Sequence, residues 1–328
     1  MPLFLELVRQ VSKHDAAAAR KALAGLDAYG AAPRLPERPE RAAIAKAGGA
    51  ALRDFGGNGA PVVLIPSLIN PPSVLDLDEE VSLAGALAQD GRQVLLVDWG
   101  KASRRAGLDI AGHVETLLLP LLDAIGEPAT IIGYCLGGTM AMAAAQLTSV
   151  RRVVTLAAPW HFGNYPDESR RALLNLWEQS RTASEQLGAL PMEVMQAGFW
   201  ALDPERTVRK FAEFAAADPA SHAARRFVTL EDWANEGEPL PLPAARELFE
   251  RFYRDDRTGA GDWNVGGTAV GEQTPVPALH LIAGEDRIVP PASAPGGEQV
   301  RIASGHVGMI VGRARTQVHR ELAAFLGD

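Results

Sequence analysis

Ala129-Thr130-Ile131-Ile132-Gly133-Tyr134-Cys135-Leu136-Gly137-Gly138-Thr139-Met140-Ala141-Met142-Ala143-Ala144-Ala145 is the stretch whose reading decides the fold. Thr130 to Ile132 is β-branched and largely apolar, which predicts a buried strand. Gly133 to Gly138 predicts a tight turn, and Thr139 to Leu147 a helix built from small residues. Small residues on both sides suit a sharp turn from which a helix packs back close to its strand. The whole is a G-x-S-x-G elbow with sulfur in place of oxygen. Cys135 then stands at a helix N-terminus, where the backbone dipole favours negative charge. It is also the only cysteine in 328 residues. A bare G-x-C-x-G equally fits an inert buried cysteine beside a glycine turn. The flanking strand and helix, together with two later segments, favour a nucleophile.

The first of those segments is Pro277 to Ala283, which predicts a strand, followed by Gly284-Glu285-Asp286-Arg287. An acid just beyond a strand's C-terminal end lies at the active face of an open α/β sheet. The second is Ser304-Gly305-His306-Val307-Gly308, which follows a short strand, Gln299 to Ile302, and opens the last helix. The order Cys135, Asp286, His306 is similar to the nucleophile, acid, histidine order of α/β-hydrolases. In that scheme His306 accepts the thiol proton or holds a thiolate–imidazolium pair. Asp286 fixes the imidazole tautomer and stabilises its cation; it is also placed to help activate an incoming hydroxyl. The ordinary alternative for Asp286 is a loop-capping carboxylate, with Glu285 and Asp262 as competing acids in poorer positions. Among the other histidines, His280 is expected in the core, His113 on a helix, and His14, His222 and His319 at the surface. His161, after the strand Val153 to Ala157, is a less favoured pocket residue. The oxyanion needs two backbone donors: the amide of Leu136, and one from the loop of Pro61 to Pro72, where Ile69 or Leu68 is the candidate.

With these residues in place the chain resembles polyhydroxyalkanoate synthases of the short catalytic-subunit type over about residues 40 to 326. The matching stretches are Val63 to Pro72, Val94-Leu95-Leu96-Val97-Asp98-Trp99-Gly100, Gly133 to Gly138, Leu230 to Leu240, Glu285 to Pro291 and Gly305 to Gly308. The resemblance implies a cysteine that carries the growing hydroxyacyl chain as a thioester, and it places Cys135, Asp286 and His306 at the matching positions. There are two departures. Arg287 stands where the family commonly has histidine, and Pro290 to Gly305 leaves room for a short strand but not for the helix usually found there. The sheet edge is then expected to be open or covered by a partner. Sulfur suits the implied reaction: passing an acyl group from a CoA thioester to Cys135 is nearly thermoneutral, so the activation survives for transfer to a hydroxyl. A cysteine esterase or thioesterase, and a non-catalytic granule-associated subunit, are the competing readings.

Composition bounds these readings. A chain of this length, 47% hydrophobic and 22% charged, can bury a large core. No run reaches the roughly 18 apolar residues of a membrane span, and Met1 to Val11 lacks the basic start and cleavage site of a signal peptide. The lone cysteine suits a reducing cytoplasm. A net charge of −8 argues against nucleic acid as a partner but not against CoA. Arg104 and Arg105 are a candidate basic patch for it, with solvated surface arginines as the plainer reading. No metal or organic cofactor is implied. The expected partners are an acyl-CoA substrate, a polyester product, and a second copy or a second synthase subunit. The expected location is the cytoplasm, extending to the surface of polyester granules.

Along the chain, residues 1–40 read as an N-terminal helix packed on the domain, plus a proline linker. Ala42 to Phe55, interrupted by Gly48-Gly49, reads as a hairpin at the sheet's edge. From Pro61 the pattern alternates strands, at 61–66, 93–98, 129–134, 152–157, 277–283 and 298–302, with helices near 79–90, 109–124, 137–147 and 307–326. Such alternation predicts an α/β fold with a mostly parallel sheet covered on both faces, its core drawn from residues 41–158 and 271–328. Residues 159–270 interrupt the alternation and are expected to form a mainly helical cap over Cys135. Their aromatics, Trp160, Trp177, Trp200 and Trp233 among them, serve either a small core of their own or an acyl tunnel or dimer contact.

Overall fold

The computed structural model describes residues 2–13, 15–36 and 38–327, so His14 lies outside the described residues. The chain divides into two units. Residues 40–190 and 238–328 carry the sheet, and residues 1–39 and 191–237 form a helical unit.

The sheet has eight strands: β1 (Ala43–Ala47), β2 (Ala50–Asp54), β3 (Pro61–Ile65), β4 (Gln93–Asp98), β5 (Thr130–Tyr134), β6 (Arg152–Leu156), β7 (Ala278–Ala283) and β8 (Gln299–Ile302). Their spatial order is β1-β2-β4-β3-β5-β6-β7-β8. β1 and β2 form the expected hairpin, antiparallel with Ala47 opposite Ala50, and Gly48 turns it at φ +54°. β2 joins β4 antiparallel, and every later pairing is parallel. β3 and β5 are buried along their whole length, as strands covered on both faces must be.

Helices connect the parallel strands. Leu83–Gln89 is capped by Ser82, whose hydroxyl accepts from Gly85 N at 2.7 Å. Ile110–His113 runs through a π segment, Val114–Leu118, into Leu119–Asp123. Leu136–Leu147 follows Cys135. The last helix, expected as one, comes as two pieces, Gly308–Val311 and Arg315–Leu326, because the chain extends at Gly312. Between the acid loop and β8 the only regular element is the turn Pro291–Ser293, and on β8 Gln299 and Arg301 are exposed.

The same unit also holds the helix Asp167–Leu187, the paired strands Ala189–Leu190 and Leu240–Pro241, Leu242–Arg246 leading into a π helix, Glu247–Arg254, and the hairpin Trp263–Val265 with Thr268–Val270. Aromatic contacts bind these pieces. Trp177 stacks on Phe249 at 5.5 Å, and Phe252 meets Phe162 at 5.2 Å and Trp263 at 5.2 Å.

The helical unit contains Pro2–Val11, Ala16–Ala31, Met192–Ala201, Pro204–Phe214 and His222–Asn235. Its core includes Phe4, Val8, Ala22, Val208 and Phe211. The N-terminal pattern, expected as one helix, breaks where Asp15 caps a second one by accepting from Ala17 N and Ala18 N. Gly25 there has a packing reason: a Cβ on it would lie 1.8 Å from the Phe211 carbonyl oxygen. The boundaries thus differ from the expected ones. Residues 159–190 and 238–270 group with the sheet, and 191–237 group with the N-terminal segment. Among the described residues no helix is long and apolar enough to cross a membrane.

Candidate active site

Cys135 sits between β5 and the helix Leu136–Leu147 at φ +57° and ψ −130°, a region that side chains seldom occupy. Backbone bonds hold it there: Cys135 N donates to Leu156 O at 2.9 Å, and Gly138 N to Cys135 O at 2.8 Å. The surrounding glycines are steric requirements. A Cβ at Gly133 would come within 2.4 Å of Gly137 O, one at Gly137 within 2.1 Å of Ile65 O, and one at Gly138 within 2.3 Å of Ala158 Cβ. Strand end, helix start and the end of β3 therefore crowd together, and Cys135, half-buried, stands at the sheet's C-terminal edge.

Asp286 and His306 meet at that edge. Asp286 Oδ2 lies 2.6 Å from His306 Nδ1, while its Oδ1 accepts from Ile288 N at 2.8 Å and Val289 N at 2.9 Å. The carboxylate thus both caps its loop and holds the imidazole, so the two readings of Asp286 are one arrangement. The loops that carry the pair are tied together by Gly284 N to Ile302 O at 2.7 Å and Glu285 N to Ser304 O at 3.0 Å. Burial by itself would lower the His306 pKa. The Asp286 and Cys135 charges, and hydrogen bonds to both, outweigh it and raise the value from 6.5 to about 10. The structure therefore brings Cys135, Asp286 and His306 together. The competing acids stand elsewhere: Glu285 is exposed and Asp262 pairs with Arg257.

The amide of Leu136 opens the helix and, as a first-turn N–H, has no acceptor within it. On the β3 side Leu68 and Ile69 are both buried. Ile69 N points at Ser67 Oγ, a long bond of 3.3 Å. Trp99 steadies this loop by donating from Nε1 to Pro66 O at 3.1 Å. That contact gives the Val-Asp-Trp-Gly motif its structural sense. Asp98 in turn accepts from Gly100 N at 2.9 Å, and Gly100 itself, at φ +64°, passes so close to Gly49 that a Cβ would lie 2.2 Å from its carbonyl.

The remaining expectations resolve individually. His280 is buried on β7, 2.8 Å from Thr155 Oγ1, and burial holds its pKa down at about 4. His161 pairs with Glu272 at 2.6 Å. Arg104 is exposed as expected, but Arg105 is not a surface arginine. It is 3% exposed, with Nη1 3.1 Å from His113 Nε2, and so offers no open basic patch. Three tyrosines escaped the sequence reading. The Tyr134 ring lies 5.0 Å from that of His306 and its hydroxyl donates to His306 O at 3.4 Å. Tyr165 and Tyr253 meet edge to face at 5.1 Å, and both feel the charges of Cys135 and Asp286. Tyr134 at least was signalled, because a tyrosine inside a buried motif needs a partner for its hydroxyl.

The chain is 27% identical over 291 residues to the poly(3-hydroxyalkanoate) polymerase subunit PhaC of Haloarcula marismortui, a match covering 81% of this chain and 60% of that protein. The PhaC subunit of Haloferax mediterranei is 26% identical, over 76% of this chain and 55% of that protein. That of Allochromatium vinosum is 26% identical, over 82% and 81%. The chain thus spans three fifths or less of the Haloarcula and Haloferax proteins but most of the Allochromatium one, and the resemblance read from the motifs holds. Among solved structures, bromoperoxidase from Bacillus anthracis superposes with a TM-score of 0.53 at 18% identity, covering 87% of this chain and 99% of that one. An alpha/beta hydrolase fold protein from Nakamurella multipartita gives 0.50 at 20% identity, covering 86% and 98%. These likenesses speak for the fold. The family profile described as alpha/beta hydrolase fold matches residues 60–300, from the first parallel strand through the acid loop, and given the strand order and the elbow at Cys135 the chain belongs to that family.

Proposed function

We propose that the protein is a polyhydroxyalkanoate synthase-like acyltransferase that moves 3-hydroxyacyl groups from CoA through a Cys135 thioester onto a growing polyester. The observation that carries this reading is a half-buried cysteine at a strained elbow beside a hydrogen-bonded Asp286–His306 pair; the PhaC relatives support the choice of substrate. In the first half-reaction the Cys135 sulfur attacks the thioester carbonyl carbon. A new C–S bond forms, the bond to CoA breaks, and CoA leaves as a thiol with a proton from His306. In the second, a chain-end hydroxyl attacks the Cys135 thioester. His306 takes the hydroxyl proton, a C–O bond forms, the C–S bond breaks, and the sulfur is restored. Asp286 keeps the imidazole oriented throughout. The carbonyl oxygen is served by the amide of Leu136 and by that of Ile69, released from Ser67, or Leu68.

In this reading the sheet unit's own additions, residues 159–190 and 238–270, shelter the acyl-enzyme from water. The protein works as a homodimer or with a second synthase subunit, in the cytoplasm at the polyester surface. One observation favours a second reading, a cysteine thioesterase: Cys135 is only half-buried, which suits attack by water on a thioester there. Incubation with 3-hydroxybutyryl-CoA, measuring CoA, polymer and free acid together, separates the possibilities. Polymer with little free acid is expected, and Cys135→Ala should release no CoA. Free acid alone would mean the thioesterase, and no CoA release by the unaltered protein a non-catalytic subunit.

A further inference from the structure

Tyr134 is the last residue of β5 and directly precedes Cys135 in the chain. Side chains alternate between the two faces of a strand. Gly133 faces the helix Leu136–Leu147, since a Cβ there would meet Gly137 O, so Tyr134 projects from the other face of the sheet. There it reaches the loop that carries His306. The two ring centroids are 5.0 Å apart with their planes tilted by 33°, within the range in which aromatic rings attract. The Tyr134 hydroxyl continues to the main chain and donates to His306 O at 3.4 Å. Both side chains are buried. Asp286 holds the imidazole by one edge, with Oδ2 2.6 Å from Nδ1. A single contact of that kind leaves the imidazole free to swing about it, and a ring packed against the imidazole removes this freedom. The charged groups acting on His306 are Asp286 and Cys135. Tyr134 is kept neutral by burial, and its π system favours a cation held within about 6 Å.

We propose that Tyr134 is a positioning residue: its ring backs the His306 imidazole and, with Asp286, fixes the orientation in which that imidazole serves Cys135. The inference rests on Cys135 and His306 working as a pair, as in the acyl-transfer reading above, but not on the identity of the acyl group. The hydroxyl has the lesser part of holding the ring in place through His306 O. An aliphatic residue at the end of β5 would fill the same buried strand position, yet it has no flat face to set against the imidazole. The ring is therefore the feature that distinguishes this role from core filling.

The test follows His306 itself, by NMR of isotope-labelled histidine, with the signal assigned by its loss in His306→Gln. In the unaltered protein His306 should give up its proton near pH 10. Tyr134→Phe keeps the ring and should titrate at the same pH. Tyr134→Leu removes the ring and should bring the midpoint down by about one unit. Alkylation of Cys135 by iodoacetamide at pH 7, which involves no acyl group, should slow about tenfold in Tyr134→Leu and keep its rate in Tyr134→Phe. Tyr134→Met, whose flexible chain fills the space without a flat face, is the second variant and should behave as Tyr134→Leu does. A folded Leu or Met variant with an unchanged midpoint and an unchanged alkylation rate overturns the proposal. A Tyr134→Phe that changes as much as they do also sinks it, because the hydroxyl would then be the working group. So does an unaltered His306 that titrates near 6.5, which would leave no cation for the ring to face. If these effects appear but the protein releases no CoA from 3-hydroxybutyryl-CoA, the acyl-transfer reading fails and the positioning role stands.

Discussion

At the scale of single residues, Cys135 is held at a backbone conformation that costs any L side chain of the order of 1–3 kcal/mol. Its φ of +57° is the geometry that lifts the sulfur clear of the sheet, so strain and reactivity share one cause. Glycine alone escapes the cost. Cys135→Gly and Cys135→Ala should both be inactive, but the glycine variant should be the more stable by about 1 kcal/mol, the reverse of the usual order of these residues. Urea unfolding of the two variants decides it; an alanine variant equal or better would mean that the elbow is unstrained. This residue was legible because its constraint is local, with glycines on either side in the sequence. Asp286 and His306 were legible because each ends a recognisable strand. The contact of Tyr165 with Tyr253 was not, since it joins residues far apart along the chain. Arg105 was misread for the same reason: its burial depends on His113, and nothing in Arg104-Arg105 distinguishes the inner residue from the outer.

At the scale of elements, the site depends on how closely the helix Leu136–Leu147 approaches β3. Gly137 sets that distance, since a Cβ there would meet Ile65 O at 2.1 Å and Pro66 O at 2.7 Å. Both are backbone atoms, which cannot swing aside as a side chain can. Gly137→Ala should therefore cost about 3 kcal/mol and slow Cys135 acylation, because the loop carrying Leu68 and Ile69 begins at Pro66. Denaturant unfolding and single-turnover acylation measured on one preparation test both effects. A loss under about 0.5 kcal/mol would show that the helix has room to retreat. The strands were readable to within a residue because buried β-branched runs bounded by glycine and proline have few alternatives. Interruptions inside helices were harder to see. The π segment Val114–Leu118 and the stop at Gly312 arise from packing and from the local path of the chain, not from apolar period.

At the scale of the whole molecule, the least legible feature was the division into units. Residues 191–237 share a core with Phe4, Val8 and Ala22, a pairing across most of the chain length that no local pattern announces. What the sheet unit does with charge is clearer and leads to a measurement. His306 is held at about 10 against an ordinary 6.5, with Asp286 and Cys135 overcoming burial. Between those values the folded protein keeps a proton that the unfolded chain has lost, so this pair's stabilisation, on the order of a few kcal/mol, is complete below pH 6.5 and fades as pH rises through about 10. His306→Gln carries no titrating proton and can still face Asp286. The difference in unfolding free energy between the unaltered protein and this variant should therefore be largest near pH 6 and shrink to pH 10.5, while groups that do not interact with His306 cancel. A difference that stays flat across that range would mean that the imidazole is neutral in the folded site. Cys135 would then have no imidazolium beside it, and His306 would have to act by taking the thiol proton as a general base.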